Sequence, residues 1–262
     1  MVINSVKHAI KSTLPRSIYE KLIDLKYSSL PKIPNYEVYV SHTKNKDGIE
    51  IGGPSMLFKT TLPLYRKIRS LDGVNFASST VWEGNIKIGP NYNFIGNKKG
   101  MQLISDGTDL WQIQDEHYDF VLSSNCLEHI ANPLKALSEW KRILRDEGAL
   151  ILVLPNKKRN FDHNRSTTSF DHILDDFNNE TPEDDLTHLN EILRLHDLSM
   201  DPPAGDFDNF KARSLDNFNN RTLHHHVFDL NLMRAMFNFL QITIVQENET
   251  DKDFFILGIK RN

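Results

Sequence analysis

The adjacent pair Glu128 and His129 combines two side-chain types that commonly carry acid–base chemistry. A carboxylate or an imidazole can remove a proton from an attacking group, and the two together can bind a divalent cation. A run of three histidines, His224, His225 and His226, is the second candidate. Alternate side chains of an extended segment point to opposite faces, so at most two of these three can face one site. We take His225 as the candidate general base of this run.

The elements around Glu128 predict where these side chains lie. Residues 118–123 form an apolar run that ends in small polar residues, as in a strand buried on both faces of a parallel sheet. Apolar residues then recur at three- and four-residue spacing between Pro133 and Gly148, which predicts a helix, and residues 149–154 form a second strand. A strand, a crossover helix and a strand make a βαβ unit. The sheet is therefore at least partly parallel, and a ligand should lie beyond the carboxyl ends of its strands.

The segment YDFVLSSNCLEHIANPLKALSEWKRILRDEGALILVLPN, residues 118–156, resembles the fourth to fifth strand of class I S-adenosylmethionine-dependent methyltransferases of type 11. The similarity rests on aromatic-Asp-apolar-Val, Leu-Glu-His, a proline, Leu-x-Glu-x-x-Arg-x-Leu and a glycine before the next strand. It covers residues 46–156 best. The resemblance implies a Rossmann-like, doubly wound α/β fold, with a mostly parallel seven-stranded sheet and an antiparallel last strand. It also implies S-adenosylmethionine as cofactor and S-adenosylhomocysteine as product.

The first cofactor contacts implied by the resemblance lie in the stretch GIEIGGPS, residues 48–55. In that family, the first strand ends with an acidic residue and a glycine loop that holds the methionine part of the cofactor. A glycine turn of this kind lets the backbone approach a ligand closely. The resemblance implies cofactor binding by Glu50, Gly52, Gly53, Pro54 and Ser55, although the last two replace the usual residues of the loop.

The second predicted strand, residues 74–77, lacks the carboxylate with which the family binds the cofactor ribose. Ser78 stands in its place, and Glu83 is the nearest carboxylate. Residues 84–99 are rich in Gly, Pro and Asn, which predicts an irregular loop instead of the usual crossover helix.

The third predicted strand, residues 100–104, is followed by Asp106 and Gly107. The resemblance implies that Asp106 accepts a hydrogen bond from the adenine amino group. Asn125, just beyond the fourth strand, completes the predicted set of cofactor-binding residues.

Two branches of the family, the ubiquinone-biosynthesis O-methyltransferases and the small-RNA 2′-O-methyltransferases, bind a divalent metal through E-x-x-E-H. Here Asn125 replaces the first glutamate, which weakens one ligand. Many relatives without metal also carry Leu-Glu-His, where the pair orients a helix. A divalent metal is therefore the less favoured interpretation of Glu128 and His129, and we predict these two residues and His225 as catalytic.

The rest of the chain is divided around this core. The predicted units are an N-terminal helical arm (1–40), a cofactor-binding core (41–156), a helical lid insertion (157–227), and the C-terminal helix and β-hairpin of the core (228–262). Two helices are expected in the insertion, over residues 182–196 and 207–219. An insertion after the fifth strand overhangs the carboxyl edge of the sheet, where it can close over a substrate.

Composition excludes several classes of function. The net charge of −4 provides no broad basic surface, so a nucleic-acid partner is not favoured. The single cysteine, Cys126, cannot form an internal disulfide, and no apolar run approaches the roughly 20 residues that span a bilayer. We therefore expect a cytoplasmic protein; its oligomeric state is not predicted.

The function that these patterns favour is methyl transfer from S-adenosylmethionine to an oxygen. The polar insertion suits a sugar, a sugar phosphate or a polar glycan-related acceptor, by analogy with methyltransferases of bacterial polysaccharides. N-methylation of a small polar amine is one alternative. A non-catalytic binding subunit of the same fold is another, because the glycine loop is degenerate and the ribose carboxylate is missing.

Overall fold

The computed structural model describes residues 33–261 of the chain. Most of the N-terminal arm predicted for residues 1–40 lies outside these residues. The helices within them are α1 Tyr36–Thr43, α2 Met56–Lys59, α3 Pro133–Ile143, α4 Phe170–Asn178, α5 Leu189–Leu195, α6 Phe207–Leu215, α7 Asn217–Asn220 and α8 Leu230–Phe239. The strands are β1 Asp47–Ile51, β2 Ser70–Asn75, β3 Ser79–Thr80, β4 Gly84–Asn85, β5 Gly89–Ile95, β6 Lys98–Ile104, β7 Tyr118–Ser124, β8 Leu144–Pro155, β9 Ile242–Glu249 and β10 Asp253–Lys260.

Eight of these strands form one mixed sheet in the order β5-β6-β2-β1-β7-β8-β10-β9. The five strands from β6 to β8 in this order are parallel to one another. At one edge β10 is antiparallel to both β8 and β9, and at the other β5 is antiparallel to β6. The Rossmann-like α/β fold with an antiparallel terminal pair is thus confirmed. Its strand order reverses between β1 and β7, the place where open α/β sheets bind ligands.

The sheet is covered on both faces, as a doubly wound fold requires. Alternate residues of β7 enter two separate apolar clusters: Val121 packs with α3 and α8, whereas Phe120 and Leu122 pack with α1. The helix α3 begins at Asn132, whose side chain accepts a hydrogen bond from the Lys135 backbone N–H, and it continues directly into β8. This short βαβ unit fixes the turn after β7.

The edge strand β5 corrects the prediction of an irregular loop over residues 84–99 and the count of seven strands. Tyr92 and Phe94 point inward from β5 and are almost fully buried, and the ring of Phe94 packs against those of Tyr92 and Tyr65. These three aromatic residues stabilise the strand despite its turn-forming composition. The predicted second strand was also misplaced, because β2 ends at Asn75.

The segment predicted as an insertion, residues 157–227, contains α4 to α7; we keep this name for it. Of the two helices expected there, the first is shorter than predicted, the second is divided into α6 and α7, and α4 was not predicted. A small apolar cluster holds α5 and α6 together; it is formed by Ile192, Ala204, Phe210 and Leu223. Ile173 of α4 belongs instead to the apolar cluster that packs on the sheet. Among residues 33–261, no helix is long and apolar enough to cross a bilayer.

Candidate active site

A cavity of about 540 Å³ lies beyond the carboxyl ends of β1, β2, β6 and β7. Its size falls within the range of about 300–1,000 Å³ that is typical of small-molecule sites. Its walls come from the turns that follow these strands, from the β3–β4 hairpin and from the insertion. The cavity therefore lies where the parallel βαβ arrangement predicted a ligand.

Glu50, the predicted acidic residue of the glycine loop, supports the turn after β1 from beneath and does not line the cavity. It is fully buried; Oε1 accepts from the Ser55 backbone N–H at 3.0 Å, and Oε2 accepts from the hydroxyls of Tyr65 at 2.5 Å and Tyr92 at 2.6 Å. Burial raises the pKa of Glu50 to about 7. This carboxyl group holds the loop in place.

The turn itself requires glycine. Gly52 has a φ of +81°, and a Cβ at Gly53 would lie 2.2 Å from Glu50 Cδ and 2.3 Å from the Tyr92 hydroxyl oxygen. Gly52 and Ser55 line the cavity, whereas Gly53 and Pro54 lie behind them. The side chain of Ser55 accepts from the backbone N–H of Leu57 and begins α2.

Of the two residues considered for the ribose, Ser78 and Glu83, one lines the cavity. Ser78 does not line the cavity, but Glu83 does, together with Thr80 and Trp82 of the β3–β4 hairpin. The Glu83 backbone N–H donates to Thr80 Oγ1 at 2.9 Å, and burial raises the pKa of the Glu83 carboxyl group. Glu83 is therefore the better placed of the two residues.

Asp106 and Gly107, two of the predicted cofactor-binding residues, line the cavity after β6. Asp106 Oδ1 accepts from the backbone N–H and hydroxyl of Thr108, while Oδ2 accepts from Arg221 at 3.0 Å. Arg221 comes from the insertion; it also pairs with Glu183, and its guanidinium carbon lies 5.4 Å from the centre of the Phe76 ring. No sequence pattern identified Arg221 as a site residue.

Asn125 lines the cavity at the end of β7, with a φ of +49°. Its backbone N–H donates to the Val153 carbonyl at 3.0 Å, so the turn that leads to Glu128 is tied to β8. Glu128 and His129 also line the cavity.

His224 joins these two residues, so that one ligand atom each of Glu128, His129 and His224 lies within 4.8 Å of the others. We call this group the active-site cluster. His129 Nδ1 lies 3.1 Å from the Leu223 carbonyl oxygen, and His224 Nδ1 lies 2.5 Å from Asp162 Oδ2. Because both contacts use Nδ1, the Nε2 atom of each ring takes no part in them. Glu128 Oε2 is buried and has no hydrogen-bond partner among residues 33–261, and burial raises the pKa of this carboxyl group to about 7.

Asp162 and Arg165 anchor the histidine run. Arg165 donates to Asp162 Oδ1 at 3.0 Å and to the carbonyl oxygens of His224 and His225 at 2.7 and 3.0 Å. Burial alone would raise the pKa of Asp162, but the charges and hydrogen bonds of His224 and Arg165 outweigh it and lower the pKa to about 2. Neither anchor was identified from the sequence.

His225, the predicted general base, does not line the cavity. Its backbone N–H donates to the Glu128 carbonyl at 2.8 Å, and its ring Nε2 lies 3.0 Å from Asn217 Nδ2. Burial lowers the pKa of His225 to about 3. The histidine that faces Glu128 and His129 is therefore its neighbour, His224.

The active-site cluster fits a divalent cation. A histidine that binds a metal usually donates its other ring N–H to a carbonyl or a carboxylate, which fixes the tautomer. His129 and His224 have these two kinds of partner, and the unpartnered Glu128 Oε2 provides a third, anionic ligand. Two nitrogen atoms and one oxygen atom leave coordination positions for a substrate.

The sequence similarity of this chain to two curated proteins is confined to short segments. Two uncharacterized proteins of Methanocaldococcus jannaschii match it, one at 52% identity over 44 residues and the other at 38% identity over 73 residues. These segments make up 17% and 26% of this chain, and only 19% and 35% of the two relatives.

Solved structures to which this chain is similar include a SAM-dependent methyltransferase of Aquifex aeolicus, with a TM-score of 0.48 and 13% identity over 94% of this chain and 99% of that one. A SAM-dependent methyltransferase of Methanosarcina mazei has a TM-score of 0.45 and 16% identity over 86% of this chain and 97% of that one. In sequence, residues 88–152 match the family model described as the methyltransferase domain. This match extends from the edge strand β5 to β8 and includes the turn that carries Glu128 and His129. Residues 88–152 of the chain are therefore similar to a methyltransferase domain.

Proposed function

We propose that this protein transfers the methyl group of S-adenosylmethionine to a hydroxyl oxygen of a polar acceptor, such as a sugar or a sugar phosphate. The observation that carries the proposal is the composition of the cavity. One part of its wall is the glycine turn after β1, and another is the active-site cluster. A methyl donor bound at the first part would face an acceptor held at the second.

The residues at the ends of β1, β2 and β6 suit the cofactor. The turn at Gly52 and Ser55 would hold the methionine end, and the Glu83 carboxylate would accept hydrogen bonds from the ribose hydroxyls. Asp106 would accept from the adenine amino group; its Oδ2 already accepts from Arg221, but a carboxylate oxygen has room for a second donor.

Bound S-adenosylmethionine would supply an electrophilic methyl group on its sulfonium sulfur. Attack by an acceptor oxygen would form the new O–C bond as the S–C bond breaks, which would yield a methyl ether and S-adenosylhomocysteine and release the hydroxyl proton to solvent. Such a displacement depends on how well the two reactants are aligned. The chain's contribution is to bind both molecules in one cavity.

The active-site cluster favours an oxygen acceptor. A divalent cation held by Glu128, His129 and His224 would act as a Lewis acid that lowers the pKa of an acceptor hydroxyl. From the sequence we favoured a site without metal; the contacts of these three side chains support the metal-bound alternative instead. The Asp162 carboxylate and the Leu223 carbonyl orient the two imidazoles.

The polarity of the cavity supports a polar acceptor. Asn125 and Asn160 offer amide groups, and the rings of Trp82 and Phe161 add flat apolar faces. A few polar groups on an otherwise apolar wall are what orients a small ligand. This mixture suits a hydroxylated ring.

Calorimetric titration tests the cofactor first. We expect S-adenosylmethionine and S-adenosylhomocysteine to bind at micromolar concentrations, and Glu83→Gln to weaken both. Transfer of labelled methyl to sugars, sugar phosphates and amines, with Mg²⁺ or Mn²⁺ and with chelator, then tests the acceptor. Labelling of amines but not of hydroxyl compounds would refute the oxygen acceptor. Folded protein that binds neither cofactor form would instead support the non-catalytic alternative.

A further inference from the structure

A second group of potential ligands lies in the insertion, outside the cavity described above. His172 and Asp176 are one turn apart on α4, His188 precedes α5, and His226 is the last residue of the histidine run. One ligand atom from each of the four lies within 4.8 Å of the others. We call these residues the insertion cluster.

The spacing of these atoms matches tetrahedral coordination. His172 Nε2 lies 2.9 Å from His188 Nε2 and 3.4 Å from Asp176 Oδ2, and His226 Nε2 lies 3.6 Å from the same carboxylate oxygen. Metal–ligand bonds of about 2.0–2.2 Å place the ligands of a tetrahedral Zn²⁺ about 3.3–3.6 Å apart. Two of the three separations, 3.4 and 3.6 Å, fall within this range and the third, 2.9 Å, is shorter, so the four atoms surround a space of about the size of one ion.

The carboxylate of Asp176 is oriented toward this space. Its Oδ1 accepts from the Thr181 hydroxyl at 2.9 Å, whereas Oδ2 is buried and has no hydrogen-bond partner among residues 33–261. Only 8% of the residue's surface is exposed. A buried carboxylate oxygen without a donor costs free energy, and a bound cation removes this cost.

We propose that the insertion cluster binds one Zn²⁺ ion through His172, Asp176, His188 and His226. Three imidazole nitrogen atoms and one carboxylate oxygen atom select zinc or a similar transition metal over Mg²⁺ or Ca²⁺, which prefer oxygen ligands. Coordination by the His226 nitrogen replaces its hydrogen bond to the Ala131 carbonyl, which is 3.0 Å long.

The ion links three segments of the chain. It connects α4, the segment before α5 and the end of the histidine run, two residues from His224 of the active-site cluster. Asp176 is also tied to the start of α3, because its carbonyl oxygen accepts from Asn132 Nδ2 at 2.9 Å. Zinc binding thus stabilises the insertion in the position that completes the active-site cavity.

The test uses the full chain with Glu128→Gln, in which the active-site cluster is weakened as a competing metal site. The protein is stripped with chelator and titrated with Co²⁺ and then Zn²⁺. We expect one equivalent of Co²⁺ to give the strong visible absorption of a tetrahedral site, Zn²⁺ to displace it, and the melting temperature to rise with zinc. If the folded Glu128→Gln protein gave no such cobalt spectrum, the proposal would be overturned.

Variants in the same background locate the ion. His188→Ala and Asp176→Asn should each weaken Zn²⁺ binding by more than about 100-fold, since even the loss of a group behind a ligand costs about 10–100-fold. Thr181→Val removes the hydroxyl that supports the Asp176 carboxylate, so it should weaken Zn²⁺ binding by only about 10–100-fold. His163→Ala is the matched control, because this histidine of the insertion pairs with Asp197 instead. Equal zinc affinity in all four variants would also refute the assignment.

Discussion

His224 Nδ1 lies 2.5 Å from Asp162 Oδ2, although the two residues are 62 positions apart in the sequence. The contact places the ring proton between these two atoms and leaves Nε2 of His224 as the nitrogen available to a ligand. Burial lowers the pKa of His224, but the charge and hydrogen bond of Asp162, together with the charge of Glu128, outweigh it, so that the net shift of the pKa is upward. Asp162 is therefore the residue that sets how His224 faces the cavity.

Replacing Asp162 by asparagine should weaken binding of the proposed divalent cation to the active-site cluster. Loss of a carboxylate behind a metal-bound histidine lowers metal affinity by about 10–100-fold. We expect methyl transfer by Asp162→Asn to fall at low Mn²⁺ and to recover at high Mn²⁺. Asp197→Asn is the control, because its carboxylate pairs with His163 in the same insertion. A loss of activity that excess metal leaves unchanged would contradict the positioning role.

Removing the cation should separate catalysis from cofactor binding. Chelator should abolish methyl transfer by the parent protein, and Mg²⁺ or Mn²⁺ should restore it. Glu128→Gln should lose activity by about 10²–10⁴-fold, the usual contribution of a group that assists proton removal. Calorimetry should show that S-adenosylmethionine binds this variant and the chelated parent as before. Full activity in the presence of chelator would exclude the metal-bound mechanism.

A methyl group at Gly53 should disrupt the turn after β1. The new Cβ would lie 2.2 Å from Glu50 Cδ, so the loop must move. We expect Gly53→Ala to lower the free energy of unfolding by about 1–3 kcal/mol, as overpacking does, and to weaken cofactor binding. Gly84→Asn is the control, since a Cβ there meets nothing within 4 Å and asparagine tolerates a φ of +64°. Denaturant unfolding and calorimetry measure the two effects.

The buried carboxyl group of Glu50 should make stability depend on pH. Burial raises its pKa in the folded protein to about 7, above the ordinary value of 4.5. The folded state then binds more protons than the unfolded state between these values, so the contribution of Glu50 to stability falls as pH rises from 4.5 to 7. The difference in unfolding free energy between the parent and Glu50→Gln should change by about 3 kcal/mol across this range. Denaturant unfolding at pH 5 and pH 8 measures it, and a constant difference would contradict the raised pKa.

The sequence predicted those parts of the structure that local pattern controls. The spacing of Leu134, Leu137 and Trp140 gives α3, and the apolar runs on both sides give β7 and β8. An irregular loop was predicted where β5 lies. The strand was missed because its stability comes from packing of Tyr92 and Phe94 against distant residues. Composition alone contains no record of such contacts.

The site was less predictable than the fold, for a related reason. Alternation along the histidine run indicates that His224 and His225 point in different directions, but it does not indicate which of them faces the cavity. The tertiary structure decides this, through Arg165 and Asp162. The roles predicted for Asp106 and Asn125 stay predictions, although both residues line the cavity.

Arg221 should link closure of the insertion to cofactor binding. It is 115 positions from Asp106, to which it donates at 3.0 Å, and it also pairs with Glu183 of the insertion. Without the guanidinium group, Asp106 and Glu183 face each other as like charges at the edge of the cavity, which disfavours a closed insertion. We expect Arg221→Gln to raise the KM for S-adenosylmethionine by about tenfold, which corresponds to about 1.4 kcal/mol. Arg213→Gln is the matched control, because Arg213 pairs with Asp201 within the insertion, at 2.7 Å. An equal rise of KM in both variants would indicate a general loosening of the insertion, whereas a rise in Arg221→Gln alone would place the effect at the cofactor.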